Sequence, residues 1–333
     1  MADFGHVPAI LETPELELSA YYDPLPDRAS AFAEKFGQGR PFSDIEAFFD
    51  QRLDIVVVAS PAPAHFGNVI EASRRRVHVL CEKPIAMDEG EAELMISSMT
   101  RSGKKFFVGF CYRFSSVAEQ MCRWYREGTI GQVKHIRMVY DWNLHGQYVE
   151  LPSGEWGENP AYRGRMIEGG PLVDCGVHQI DLARWWTGSE ISRWQAAGTW
   201  STTYTAPDHV TLQMQHENGV LTTVDVSYGY THTAKDSRSI FTYEMIGTGG
   251  VARYDREGYI LEARTGRETI RTPGASEKNF AGMYRSLVEE LQGGANLMPT
   301  PRDALVATDV AHSATDALIS NRAKDGRLFA AST

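Results

Sequence analysis

Two short segments of this chain carry side chains suited to proton transfer, and the first is residues 81–84 (CEKP) at the end of an apolar run. A lysine just beyond a buried strand, here Lys83, can polarise a hydroxyl or carbonyl oxygen, or act as a base when its pKa is lowered. Carboxyl ends of strands are where open α/β sheets place ligands. A solvated turn lysine is the alternative interpretation, and a lone lysine would favour it.

The second segment is residues 169–181 (GGPLVDCGVHQID), which holds Asp174 and His178. On a helix, residues four apart share a face, so the carboxylate can orient the imidazole and stabilise its charge. This is the geometry of a base and its orienting group. In the alternative interpretation Asp174 caps the helix and His178 packs in the core. Asp181, three residues beyond His178, is a second candidate partner.

The elements that must position these residues begin with alternating short β-rich runs and amphipathic stretches, up to about residue 114. Such alternation indicates βα units on a parallel sheet. Strands are predicted over 15–22, 54–59, 77–81 and 104–110, and helices over 27–36, 43–49, 64–74 and 88–102. We therefore predict an α/β fold whose residues 1–114 form a Rossmann-like, doubly wound parallel sheet.

The pattern changes after residue 114. A helix over 116–127 and a strand over 133–142 lead to a predicted loop, 143–170, and to a helix over 171–187. Strands follow at 194–201, 209–216, 221–228, 240–246 and 259–263, with turn signals between them, and the last predicted helices are 278–291 and 302–321. Residues 115–333 are thus predicted to form an α+β domain with a large, mostly antiparallel sheet. Two domains also agree with a length of 333 residues.

A dinucleotide-binding domain should open with a strand, a G-x-G-x-x-G/A turn and a helix. Here Gly5 stands just before the apolar stretch 6–11, and Asp23 follows at about the spacing of the ribose-binding acid. The sequence therefore predicts that the first strand and most of the glycine fingerprint are missing, either because the start codon was placed too late or because cofactor binding was lost. A protein without such a fingerprint is the alternative.

Composition narrows the function classes. A formal charge of −10 opposes binding to phosphate backbones, so no nucleic-acid partner is expected. No segment reaches the roughly 18 apolar residues of a membrane span, and no export signal is recognised. The four cysteines form no CxxC pair, which favours reduced thiols in a cytoplasmic protein. The sequence predicts no metal site.

Taken in order, these motifs resemble the Gfo/Idh/MocA family, which includes glucose–fructose oxidoreductase and myo-inositol dehydrogenase. The resemblance covers essentially the whole chain, and the Glu-Lys-Pro triplet and the Asp-x-x-x-His helix are its most specific parts. It implies hydride transfer between a nicotinamide and a sugar, cyclitol or related polyol. The implied roles are His178 as general base, Asp174 as its orienting group and Lys83 as the group that polarises the same oxygen. The base role could instead fall to Lys83.

The resemblance also implies a cofactor site, formed by Gly5, Asp23, Ser60, Pro61, His65, Glu82, Lys83 and Arg113. A carboxylate at position 23 would accept from the adenosine ribose hydroxyls and repel a 2′-phosphate, which favours NAD over NADP. Arg28 or another cation could offset that preference. Cys111 followed by Tyr112 departs from the Asn that relatives often carry there, which puts that polar contact in doubt.

The aromatic-rich segment 140–162 is a candidate lining for a sugar site, with Trp156 packing on a sugar face and Arg163 or Arg165 bonding hydroxyls. A loop pinned to the sheet by its aromatic rings is the alternative. Relatives often pair through the large sheet, so a homodimer or homotetramer is expected. Two other functions remain open: a non-catalytic binding or regulatory homologue without dinucleotide binding, and an NAD-dependent glycosidase.

Overall fold

The computed structural model describes residues 1–142, 146–229, 239–273 and 277–332. It divides into two compact units: unit 1 comprises Met1–Phe114 and Lys278–Leu305, and unit 2 comprises Ser115–Glu277 and Val306–Thr333. The first predicted domain, residues 1–114, coincides with the first segment of unit 1. The return of residues 278–305 to unit 1 is a difference from the contiguous second domain that the sequence predicts.

The strands are, in chain order, β1 Ala20–Tyr22, β2 Arg40–Phe42, β3 Ile55–Val58, β4 His78–Cys81, β5 Phe106–Val108, β6 Val133–Asp141, β7 Tyr148–Glu150, β8 Trp156–Glu158, β9 Ile191–Thr199, β10 His209–His216, β11 Leu221–Ser227, β12 Ile240–Gly247, β13 Gly250–Asp255, β14 Ile260–Thr265, β15 Thr269–Arg271 and β16 Phe329–Ala331. The α-helices are α1 Val7–Leu11, α2 Pro26–Phe36, α3 Ile45–Phe49, α4 His65–Arg74, α5 Glu89–Ser102, α6 Ser116–Arg126, α7 Pro160–Ile167, α8 Val177–Thr187, α9 Phe280–Leu291 and α10 Pro301–Asp325. Single π turns precede α1 (Ala2–His6) and α8 (Leu172–Gly176), and short 3₁₀ turns occur at Ala62–Ala64 and Cys111–Phe114.

Unit 1 contains two parallel sheets, β1-β2 and β3-β4-β5. The middle strand β4 is apolar after its first residue, His78, and Val79 and Leu80 are fully buried, as expected of a strand covered on both faces. In the described part of unit 1, no strand pairs with both β1 and β3. The doubly wound sheet predicted from the sequence is therefore present in two pieces.

A cavity of about 520 Å³ lies between these two pieces. Successive residues of β1 and β3 line it, together with apolar side chains of α2 and α3 such as Phe32 and Phe48. Two carboxyl-end residues, Asp23 and Ser60, also face it. The cavity is therefore lined by polar residues where β1 and β3 end and by apolar side chains elsewhere.

Unit 2 is built on a nine-stranded sheet with the order β15-β14-β13-β12-β6-β11-β10-β9-β16. All its pairs are antiparallel except β11 with β6. Burial alternates along the central strands, as in β10, so one face is packed and the other is partly open. The packed face holds Leu212, Val224 and Met245, all fully buried. This confirms the large, mostly antiparallel sheet.

Several predicted bounds differ from the observed ones. The strand predicted over 15–22 shrinks to β1, and the predicted loop 143–170 contains β7, β8 and α7 in its described part. The strand β13 is not predicted, because its start at Gly250 falls in a run of three glycines and a threonine that signals a turn. Asp88 caps the N-terminus of α5, since its carboxylate accepts from Glu91 N at 2.9 Å.

Candidate active site

The Glu82-Lys83-Pro84 segment follows directly from β4. Two backbone bonds hold its start: Glu82 N donates to Val58 O at 2.9 Å, and Gly109 N donates to Cys81 O at 2.8 Å. The neighbouring strands β3 and β5 therefore fix the point at which the polar residues leave the sheet. This is the carboxyl edge at which parallel sheets place ligands.

Glu82 is buried and paired with His6. His6 Nε2 lies 2.8 Å from Glu82 Oε1, and His6 Nδ1 lies 2.9 Å from Tyr284 OH. Burial alone would raise the pKa of Glu82, but the hydrogen bond from His6 and the charge of Lys83 outweigh it, so the pKa lies below its usual value. Glu82 is thus held ionised by a residue from the start of the chain and, through it, by α9.

Lys83 is only 9 % exposed, so the interpretation of a solvated turn lysine is wrong. Its backbone N–H donates to Glu82 Oε2 at 3.2 Å. A lysine this buried is constrained in position, which suits a group that must meet a substrate oxygen at a fixed point.

Three of the predicted cofactor residues face the cavity of unit 1: Asp23, Ser60 and Pro61. Asp23 Oδ1 accepts from Leu25 N at 2.9 Å, which fixes the carboxylate at the mouth of the cavity while Oδ2 remains available to a ligand such as a ribose hydroxyl. Arg28 lines the same cavity. A carboxylate that accepts hydrogen bonds, a hydroxyl and a guanidinium that donates them, all near the carboxyl ends of β1 and β3, fit the ribose part of a dinucleotide.

Gly5 is placed differently. It lies in the first π turn and does not line the cavity, and a Cβ there would lie 2.6 Å from the Phe280 ring. Its small size is therefore needed for packing against α9. The close packing against Phe280 therefore explains why a glycine is required at position 5, independently of any contact with a pyrophosphate.

His65 and Arg113 hold elements of unit 1 together. The two ring nitrogens of His65 lie 2.9 Å from Pro84 O and from Ser60 O, so the ring links the ends of β3 and β4. Arg113 is 9 % exposed, and its guanidinium lies 3.6 Å from Asp303. His65 thus positions the segments that carry Ser60 and Lys83, whereas Arg113 connects the turn after β5 to the start of α10.

In unit 2, Asp174 sits in the π turn before α8 and is 6 % exposed. Tyr228 OH donates to Asp174 Oδ2 at 2.5 Å, and Arg165 Nε lies 3.7 Å from Asp174 Oδ1. Burial and the neighbouring carboxylate raise the pKa of Tyr228, so its hydroxyl stays protonated as a donor. The carboxylate is therefore fixed from both sides.

His178 is the second residue of α8, and it is 4 % exposed. The turn that carries Asp174 is approached through Gly170, which has a φ of +74° and where a Cβ would lie 2.9 Å from Pro207 O. Only glycine meets both demands at that position. Single π turns inside helices occur frequently at functional sites. Asp181 is also buried, at 1 % exposure.

Two predicted substrate residues, Trp156 of the aromatic-rich segment and Arg163 just after it, are on the surface of unit 2. Trp156 lies on β8 and is 72 % exposed, and Arg163 is exposed on α7. Arg165, two residues further on, is the arginine of that helix that reaches Asp174. Tyr162 is buried instead, and its ring lies 6.1 Å from that of Tyr228.

Sequence reasoning missed three residues of these clusters: His6, Tyr228 and Tyr284. Tyr228 follows a strand pattern, and its burial beside Asp174 depends on a contact across 54 residues. His6 and Tyr284 are 278 residues apart, and no local pattern links them. Only the polar character of His6 inside an apolar stretch was a signal.

Polar groups at the carboxyl edge of a parallel sheet are typical of nucleotide-binding α/β proteins, and here that unit is joined in one chain to a unit with a buried Asp174 and His178. Two family models match the chain: "Oxidoreductase family, NAD-binding Rossmann fold" over residues 3–110, and "GFO/IDH/MocA C-terminal domain" over residues 118–253. The chain therefore belongs to the Gfo/Idh/MocA family of NAD-binding oxidoreductases.

Individual relatives are distant. The chain is 26% identical over 281 residues to D-apiose dehydrogenase of Paraburkholderia graminis, covering 83% of this chain and 70% of that protein. It is 26% identical over 320 residues to inositol 2-dehydrogenase of Acidothermus cellulolyticus, covering 92% and 86%. The crystal structure of aldose-aldose oxidoreductase from Caulobacter crescentus matches with a TM-score of 0.78 at 21% identity, covering 97% and 94%. The structural match supports the fold.

Proposed function

We propose that this protein is an NAD(P)-dependent dehydrogenase that transfers a hydride between a nicotinamide and a CH–OH group of a sugar, cyclitol or related polyol. The observation that carries the proposal is the buried Asp174, held by Tyr228 and Arg165 one turn from the buried His178. Keeping a carboxylate and an imidazole buried is costly unless they are paired, and such arrangements concentrate at catalytic sites. The relatives named as dehydrogenases support the same reaction class.

Each residue has a defined role in this reaction. The bound nicotinamide supplies the hydride acceptor or donor at its C4 atom. His178 takes the proton of the substrate hydroxyl, and Asp174 orients the imidazole and stabilises its positive charge. Lys83 donates a hydrogen bond to the same substrate oxygen, and Glu82 holds the segment that carries Lys83. Lys83 as the base, with His178 as the donor, is the alternative assignment.

The cofactor proposal rests on the mouth of the unit 1 cavity. Asp23 there accepts from ribose hydroxyls, and Ser60 and Pro61 border the same space. Because Asp23 would repel a 2′-phosphate, we expect NAD to bind more tightly than NADP. Arg28 lines the same cavity, and its guanidinium is the group that would contact the 2′-phosphate of NADP. Titration with NADH and NADPH, followed by nicotinamide fluorescence, measures the preference, and Asp23→Asn should reduce it.

A dehydrogenase screen of the purified protein over hexoses, pentoses and inositols, with NAD and NADP, tests the activity. With the substrate found, Lys83→Ala and His178→Ala should each lower kcat by about 100-fold or more, the usual size of a general acid–base contribution. The matched controls are Lys105→Ala in unit 1 and His135→Ala in unit 2, whose side chains are half-exposed or exposed. Full turnover in either test variant would overturn the role assignment.

A non-catalytic binding protein is the second candidate, and the position of Gly5 favours it. Gly5 packs against Phe280 and does not line the cavity, so it is not a pyrophosphate contact in this conformation. That protein would keep the polar groups of unit 2 and bind a small polyol without a dinucleotide. Clear binding of NADH excludes this candidate, whereas polyol binding without NADH binding supports it.

We also propose a homo-oligomer formed through the open face of the nine-stranded sheet. That face carries half-exposed residues at alternate positions of β10, β11 and β12. A second copy of the chain would cover these side chains over several neighbouring strands. Arg137 and Glu244 form an ion pair on it. Light scattering coupled to size exclusion tests the proposal, and Thr223→Arg on this face should shift the mass toward the monomer.

A cytoplasmic location is proposed as well. All four cysteines are free and buried, and burial raises the pKa of Cys111 to about 12, which keeps its thiol protonated and inert. Nothing in their positions calls for an oxidising compartment. No helix in the described part of the chain is long and apolar enough to cross a membrane. Fractionation of cells that express the tagged protein tests the location.

A further inference from the structure

Three potential metal ligands lie together on the open face of the unit 2 sheet: Asp141, His209 and Asp225. Strand register explains why they converge. Ser227 pairs with Asp141 on one side and with His209 on the other, and Asp225 precedes Ser227 by two residues on the same face. One ligand atom from each of the three residues lies within 4.8 Å of the other two. His209 Nε2 is 3.7 Å from Asp225 Oδ1.

The carboxylate of Asp141 is the unusual member of this cluster. Asp141 is 6 % exposed, yet its Oδ1 atom is buried with no hydrogen-bond partner among the described residues. Buried carboxylate oxygens are normally hydrogen-bonded or bound to a metal, because an unsatisfied one costs the full desolvation free energy. Asp225, 29 % exposed at its side chain, stands beside it with the same charge.

Other polar residues on the same face have partners within the sheet. Arg137 pairs with Glu244, and His135 Nε2 lies 3.0 Å from Thr223 Oγ1. The unsatisfied oxygen of Asp141 is therefore a local feature of one end of the face, where β6, β10 and β11 present the cluster. A cation at that point would satisfy this oxygen and offset the like charges of Asp141 and Asp225.

We propose that Asp141, His209 and Asp225 bind one divalent transition-metal ion, of the Mn²⁺ or Zn²⁺ type. Two carboxylates supply two negative charges, and one imidazole supplies the nitrogen ligand that these ions accept more readily than Mg²⁺ or Ca²⁺ does. Water completes the coordination. The sequence predicts no metal site, because the three ligands are spread over 85 positions and have no motif spacing.

The surroundings of Asp225 support this assignment. Thr211 Oγ1 donates to Asp225 Oδ2 at 2.8 Å, which leaves Oδ1 directed toward His209. A hydrogen bond that fixes the second oxygen of a ligating carboxylate is a regular part of metal sites. The site is proposed for unit 2 alone and does not depend on the proposed dehydrogenase activity.

Metal titration of the full-length protein tests the proposal. The protein is first dialysed against a chelator, and Mn²⁺ or Zn²⁺ is then titrated by calorimetry, with Mn²⁺ binding checked by the loss of the free-ion electron paramagnetic resonance signal. We expect one ion per chain. Asp141→Asn should weaken the affinity at least about tenfold, since even the loss of a residue that only supports a ligand costs that much.

The matched control is Glu244→Gln, which removes a carboxylate from the same face at a position already paired with Arg137. It should bind the ion as the wild type does. Asp141→Asn removes a buried negative charge beside Asp225, so in chelator it should unfold at the same or a higher temperature than the wild type. Loss of binding therefore cannot be attributed to loss of the fold.

Two results would overturn the proposal. The first is no stoichiometric binding of Mn²⁺ or Zn²⁺ to the wild type. The second is binding that Asp141→Asn leaves unchanged, or that Glu244→Gln weakens to the same degree, since either would identify a diffuse effect of surface charge. Thr211→Val should weaken binding less than Asp141→Asn does, as expected of a residue that positions a ligand.

Discussion

Replacing His6 with alanine gives the most direct test of how unit 1 is held together. The substitution removes the partner of a buried carboxylate, because His6 Nε2 lies 2.8 Å from Glu82 Oε1 and both side chains are at most 5 % exposed. Breaking a buried ion-paired contact costs about 3–5 kcal/mol. We expect a loss of about 3 kcal/mol, the lower end, since Glu82 keeps its bond from the Lys83 backbone N–H.

The assay must report on unit 1. All seven tryptophans lie between residues 124 and 200, in unit 2, so tryptophan fluorescence follows the other unit. Hydrogen exchange of the β4 amides, read by mass spectrometry, reports on the opening of unit 1. The matched control is Lys35→Ala, which removes an exposed ion pair between Lys35 and Asp3 in the same N-terminal segment and should cost under about 1 kcal/mol.

A double-mutant cycle separates the pair from its surroundings. In Glu82→Gln the buried charge is gone, so His6→Ala should cost less in that background, by a coupling of about 1.5–3 kcal/mol. Glu82 has a lowered pKa, so its stabilising effect should be complete above pH 4.5, the ordinary value, and should be lost as the pH falls through the folded-state pKa. A cost below about 1 kcal/mol for His6→Ala, or equal costs in both backgrounds, would refute this reasoning.

Three further predictions concern unit 2. Tyr228→Phe removes the donor to Asp174 and should lower kcat about tenfold to a hundredfold with a smaller change in KM, measured by steady-state kinetics on the substrate found in the screen; unchanged kcat would show that the bond has no part in turnover. Burial lowers the pKa of His216 below 6.5, so the unfolded chain binds the proton more readily and the free energy of unfolding should fall as the pH drops below 6.5; urea titrations at pH 7.5 and about 5.5 check this, and His216→Gln should flatten the dependence. Gly247→Ala would push a Cβ into a neighbouring backbone carbonyl and should destabilise by about 1–3 kcal/mol or more in thermal melts, whereas Gly266→Ala, with open space around it, should change stability far less.

Local patterns predicted most elements of the fold. Apolar runs gave β3 and β4 to within one residue at each end, because strands covered on both faces have continuous hydrophobic sequences. Strand β10 was predicted at its observed bounds, because its inner and outer residues alternate strictly. The return of residues 278–305 to unit 1 was not predictable, since periodicity shows that α9 is a helix and says nothing of which core it joins.

In the candidate site, too, local sequence patterns predicted some residues, whereas residues that depend on tertiary packing were not predicted. Spacing within one turn suggested Asp174 and His178 as a pair, and the Glu-Lys-Pro triplet pointed to Lys83. Tyr228 and His6 were not predicted, because their hydrogen-bond partners lie far away in the chain and these contacts form only through tertiary packing. Arg165 and Arg163 could not be told apart by sequence, since a two-residue step on a helix turns a side chain to a different face.

The long-range bond between His6 and Tyr284 has a consequence for synthesis on the ribosome. The two residues are 278 positions apart, so at about 5–20 residues per second the second is made about 14–56 s after the first. During that interval residues 115–277, most of unit 2, are complete, while unit 1 still lacks α9 and the wall that Tyr284 and Leu287 give to its cavity. Nascent unit 1 therefore leaves apolar cavity-lining residues uncovered until α9 is made, and we expect a chaperone that binds apolar segments to associate with it during that interval.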